Sequence, residues 1–291
     1  MIQDIMEKWT NYIKQTLPIV LTLVIFLLLS FLVYLEIRLL NFLQPACTNS
    51  KQCISTQIFI ADIIIGMTIY LKTSVDFAIF IGNLMKSYST WKDRIAIEIG
   101  TAVGNALGTI IVLAIWSFFK EITWLLAIMI FIAALVLLKL AEEGLEHIRE
   151  TKNNSPDLSF IIAQKIEKIL SYINTKTDIL LSKIIPNLSM KPKLGLSFLT
   201  LFFVSFTVPF ILGLDDFAGY VPVFNIVNVF GFSIGVLAGH MILNLCLFMS
   251  PKTTIRVVKN NYVSLFGSIA FILLALWGFY EVFRLLFFHS S

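Results

Sequence analysis

Charge is scarce in this chain. Only 14% of its 291 residues are Asp, Glu, Lys or Arg, against about 25% in soluble globular domains. With 58% hydrophobic residues, 26 Phe and a mean hydropathy of +0.87, that shortage excludes a water-soluble globule. Histidine and cysteine are equally rare, three of each. None stands at metal-type or redox spacing, which argues against a tetrahedral zinc site or a dithiol centre. Alternation with period two is absent as well, so a membrane β-barrel is excluded and helices must satisfy the backbone.

Several apolar runs exceed 18 to 20 residues, enough to cross a core of about 30 Å. The net charge of +4 points to no nucleic acid, because the basic residues sit in alternate loops. Counted by compartment, sixteen Lys and Arg fall on one side and two on the other. The positive-inside rule then gives seven spans in the inner membrane, with a cytoplasmic N-terminus and an outer C-terminus.

Residues 1–53 should hold an interfacial helix over 1–16, a retained first span over Leu17 to Phe42, and an outer loop. Cys47 and Cys53 flank that loop on an oxidising face, where a disulfide between them is expected; Cys246 lies within an apolar helix. Residues 54–141 read as three spans, beginning near Ile54, Ile95 and Ile122. Residues 142–193 form a cytoplasmic loop with an amphipathic helix, whose stripe of Leu158, Ile161, Ile162, Ile166, Ile169 and Ile173 suits the bilayer surface or a partner. Residues 194–291 read as three more spans, and Pro209 and Gly213 permit a broken helix in the first of them.

Inside the second span, Lys72, Asp76 and Asn83 interrupt an apolar run, and a carboxylate in hydrocarbon marks a functional site by default. The phrase recurs. Asp216, Phe217 and Ala218 repeat Asp76, Phe77 and Ala78, and each copy precedes a glycine ladder: Gly100, Gly104, Gly108 and then Gly231, Gly235, Gly239. Four-residue steps keep each ladder on one helix face, as a packing surface. An internal duplication with three spans per copy requires the second copy to be inverted, which is a secondary-transporter architecture with its site near the midplane. The fold class expected is therefore an all-α integral membrane protein of one leading helix plus two inverted three-helix repeats.

At SVDFAIFIG, Ser74 to Gly82, and GLDDFAG, Gly213 to Gly219, the chain resembles the lysine exporter superfamily, which includes the TerC proteins, the cadmium-resistance transporters and the MntP type of manganese exporter. The resemblance implies a six-helix core that exports divalent cations or small solutes without a bound organic cofactor. Asp76 matches the first copy and Asp216 the second. The chain departs from the pattern in Lys72, in the extra leading helix, in the long loop, and in the pair Asp215 and Asp216, which leaves the second ligand ambiguous.

The expected function is export of a divalent cation of the manganese or cadmium type by alternating access, with protons exchanged on the same carboxylates. Asp76 and Asp216 are the first candidate ligands, followed by Glu98, Asn83, Asn105, Asn225 and His240. Each has a structural alternative: Lys72 can pair with Asp76 at helical spacing, and Asn83, Asn105, Asn225 and Asn244 can bridge helices. Asp62 and Glu281 are expected at the interface. The same core suits export of an amino acid or other small solute, and homo-oligomers are left open. An intramembrane aspartyl protease fits poorly because Gly213, Leu214 and Asp215 lack the glycine directly before aspartate, and a membrane scaffold is the remaining rival. No enzyme activity is expected.

Overall fold

A computed structural model describes residues 2–43, 53–120, 122–150, 158–181, 197–221, 223–224 and 227–288. The described residues form ten helices and no strand. Helix α1 (Ile2–Leu43) is continuous through Pro18, so the expected surface helix over 1–16 and the first span share one backbone rod. Its buried residues Thr22, Leu29, Val33 and Ile37 lie on one face, whereas Leu28, Phe31, Leu32 and Leu39 face outwards, as lipid contact requires. Asn41 donates to Ile54 O and accepts from Ile54 N, both at 2.9 Å, and so pins the chain that leads into the next span.

That next span is broken. Helices α2 (Ile60–Thr73) and α3 (Val75–Ser87) meet at Ser74 with a bend of 67°. Helix α4 (Trp91–Phe119) starts at Thr90, whose hydroxyl accepts from Asp93 N, and a short turn leads to α5 (Thr123–Glu150). Helix α5 runs beyond the predicted end at Ala141. Its extension buries Leu145 and Ile148 against Ala163 and Leu170 of α6 (Leu158–Leu181), and Asn174 donates to Glu142 Oε2 at 2.5 Å. The amphipathic helix therefore finds a packing partner within its own chain, while Ile161, Ile162 and Ile169 stay exposed.

In the second half, α7 (Phe198–Tyr220) passes through Pro209 without a break, although Pro209 and Gly213 permit one. Helix α8 (Val229–Met249) is capped by Asn228, the short α9 (Pro251–Val258) follows Ser250, and α10 (Asn261–Phe288) closes the chain. Five described helices are long and apolar enough to cross a membrane, and the bent pair makes up to six. The protein is thus a helical membrane protein.

The dominant packing pairs are α4 with α7, α2 with α8, and α5 with α10. Glycine sets the first two. A β-carbon on Gly100 would press on Phe202 O and one on Gly104 would collide with Phe206 O, so α4 and α7 advance together in the same direction. Gly235 sits in the same way on Ile63 O and Gly239 beside Met67 O, so α2 and α8 are also parallel. Helices α5 and α10 run oppositely: Ser264 Oγ donates to Gly144 O at 2.6 Å, whereas Phe279 packs edge-on against Phe131 further along. Helices α4 and α8 are antiparallel too, with Arg94 donating to Phe248 O at 2.6 Å and Asn244 to Thr101 Oγ1 at 2.7 Å.

Candidate functional site

The break at Ser74 is where polar groups gather. Ser74 is buried, and its carbonyl accepts from Ala78 N while its own amide donates to Tyr70 O, so one residue ends α2 and starts α3. Asp76 occupies the first turn of α3, where the helix dipole favours negative charge. Its side chain lies outside the described residues, as do those of Asp215 and Asp216 near the end of α7 and the whole of Asn225. The neighbours of Asp76 are clear: Phe77 and Ala78 are buried, and the Phe77 ring packs 5.3 Å from the imidazole of His240.

His240 is fully buried and belongs to a network that ties three helices together. Its Nδ1 lies 2.5 Å from the Tyr70 hydroxyl on α2, and its Nε2 lies 3.0 Å from Asn244 Nδ2, one turn further along α8. Asn244 Nδ2 also donates to Thr101 Oγ1 on α4, and Thr101 spends its own proton on Glu98 O at 2.9 Å. Each ring nitrogen thus has a partner, Tyr70 for Nδ1 and Asn244 for Nε2, and which nitrogen carries the proton follows the tautomer.

Glu98 lies one turn before Thr101 on the same face of α4. It is fully buried, and its Oε1 accepts from Thr22 of α1 at 2.6 Å. Among the described residues, Glu98 Oε2, Asn244 Oδ1 and Asn105 Nδ2 are buried polar atoms without a partner. Buried orphans of this kind are uncommon in folded proteins and concentrate where water, ions or function are involved.

The predicted ligands are thus divided. Glu98, Asn105 and His240 lie inside the bundle, Glu98 and His240 being linked through Thr101 and Asn244, whereas Asn83 is exposed on α3 and only lends its carbonyl to Ser87. Asp62 and Glu281, expected towards the span ends, are buried against neighbouring helices. Asp62 sits in the first turn of α2 against Gly231, and Glu281 is held by Arg284 at 2.6 Å. Cys53 is disulfide-bonded and Cys246 is free and exposed, while Cys47 lies outside the described residues. No group of three or more His, Cys, Asp or Glu able to hold a metal ion occurs among the described residues. Sequence reasoning missed Tyr70 and Thr101, which carry no charge and look like ordinary span residues.

Lys72, on the last turn of α2, points away from this network. Its Nζ donates to Ser264 O at 3.1 Å and lies 5.7 Å from the centre of the Phe271 ring, both on α10. Beside it opens a cavity of about 310 Å³, lined by Lys72, Thr73, Val75 and Ile79 from the broken span, Glu143 and Glu146 from α5, and Ser264 from α10. The opposite end of the bundle is filled by rings. Trp116, Tyr220, Phe224 and Phe232 are buried there with centroids 5.1 to 6.3 Å apart.

No family model, curated protein or solved structure matches the chain.

The network makes a prediction about His240. Tyr70→Phe leaves His240 Nδ1 without its hydroxyl partner in the core, which costs about 1–3 kcal/mol, whereas replacing both partners by apolar groups is closer to neutral. Thermal unfolding in detergent should show a lower Tm for Tyr70→Phe and partial recovery in the double variant Tyr70→Phe, His240→Leu. Equal Tm values for Tyr70→Phe and the parent would show that the hydroxyl does not hold the ring.

Proposed function

We propose that this chain is a secondary transporter of the lysine-exporter type. It is built from the leading α1 and two inverted repeats, α2/α3 with α4 and α5, then α7 with α8 and α10, which makes seven spans with a cytoplasmic N-terminus. The observation that carries the reading is the exchange of partners: the first helix of each half packs in parallel on the second helix of the other half through a glycine and a backbone carbonyl, and the third helices pair with each other in opposite directions. A two-fold axis in the membrane plane produces that pattern. The broken span, with Asp76 on the first turn of its second half, supports a site near the midplane.

The exported species is a divalent cation of the manganese or cadmium type, bound by Asp76 and Asp216 and exchanged for protons as the site alternates between the two sides. The cavity beside Lys72 favours a second reading, because one ammonium and two carboxylates also suit a small zwitterion such as an amino acid. Vesicles containing the purified protein should accumulate Mn²⁺ or Cd²⁺ and ignore lysine. Accumulation of lysine without either metal would establish the second reading, and accumulation of neither would refute both.

A further inference from the structure

We propose that Lys72 is a latch that holds the broken span in its cytoplasm-open arrangement. The inference rests on the transporter reading and the orientation given above. The latch has a seat built for it. A β-carbon on Gly267 would overlap the Lys72 side chain, and one on Gly144 would lie 3.1 Å from Nζ, so the stem threads a notch that two glycines leave open between α5 and α10. At the end of the notch the ammonium donates to Ser264 O beside the Phe271 ring.

The position matters because of what it joins. Lys72 lies two residues before the break at Ser74, and the helices it reaches are the third members of the two halves. Alternating access requires the broken spans to move against the rest, and a charged bond across that boundary must be undone on each cycle. In this structure the bond is made, the cavity at its foot is open, and the aromatic cluster at the other end is closed. Seated Lys72 therefore belongs to the state that faces the cytoplasm. Unseating it favours the state that faces out.

The test follows the side from which one residue can be reached. Ile79 lines the cavity, and Ile79→Cys in a Cys246→Ser background gives a probe site for a membrane-impermeant maleimide. Full-length protein is labelled from outside in cells and from the cytoplasmic side in inverted vesicles. Loss of one charge-assisted bond moves a two-state equilibrium about tenfold. Lys72→Met, which keeps the stem, should therefore speed labelling from outside about tenfold, and Gly267→Ala should do the same by evicting the side chain. Unchanged or slower outside labelling in Lys72→Met overturns the latch, and Gly267→Ala decides if Lys72→Met gives no folded protein. Mn²⁺ transport by the parent, measured alongside, judges the transporter reading separately.

Discussion

Asp76→Asn and Asp216→Asn are each expected to abolish transport, with a loss of about 100-fold or more, while both variants still insert and fold. A bond to a charged group contributes about 1.5–3 kcal/mol, and each 1.4 kcal/mol is tenfold in affinity, so the loss of a carboxylate ligand would be felt at that scale. Asp215→Asn should be milder. Neighbouring residues on a helix point about 100° apart, and α7 is helical through both acids, so the two cannot face the repeat interface equally. Matching Asp-Phe-Ala to Asp-Phe-Ala selects Asp216. Equating Gly100 and Gly104 with Gly235 and Gly239 instead places Asp76 opposite Asp215, but that count runs through the break at Ser74, where α2 and α3 can slip by a residue. The check is initial uptake of Mn²⁺ into vesicles containing equal amounts of each variant. Full transport by Asp216→Asn together with none by Asp215→Asn would reverse the assignment.

Gly104→Leu and Gly235→Leu should yield no monodisperse protein. Each side chain would have to enter a space already filled by a main-chain carbonyl, Phe206 O or Ile63 O. A carbonyl inside a helix cannot rotate aside as a side chain does, so the helices must separate and lose contact along their length. Overpacking costs about 1–3 kcal/mol even where neighbours can give, and here they cannot. Val103→Leu, on the exposed side of the same helix α4, is the control and should behave like the parent. Size-exclusion profiles of detergent extracts decide the matter, and a sharp parent-like peak for both glycine variants would contradict the packing described.

The spans were legible because lipid imposes a simple rule on composition: helices α1, α4, α5, α8 and α10 fall on the apolar runs expected for them. The glycine ladders likewise announced close contact, because four-residue steps can do little else. The break was not legible. Pro209 and Gly213 drew attention to α7, yet Pro209 is accommodated there, its ring packed over Gly104 on the partner helix. The span that breaks does so at Ser74, between Thr73 and Val75, with neither proline nor glycine at the break. There tertiary contacts outweigh local preference: Lys72 is drawn towards α10 and Phe77 towards His240. Helix α9, not among the expected elements, starts at Pro251 after Ser250, whose side chain makes no cap bond to it. The Tyr70 partner of His240 carried no signal, since it is 170 positions away and only the fold brings it near.

The exchange of partners between the halves has a consequence for biogenesis. Helix α2 emerges from the ribosome long before α8, and α4 before α7, so the first half enters the bilayer with its main mates still unmade. Its glycine face and its buried carboxylate would then meet lipid alone. Thr22 of α1 precedes Glu98 in the chain, so if the spans enter the bilayer in order its hydroxyl is already there to bond that carboxylate when α4 inserts.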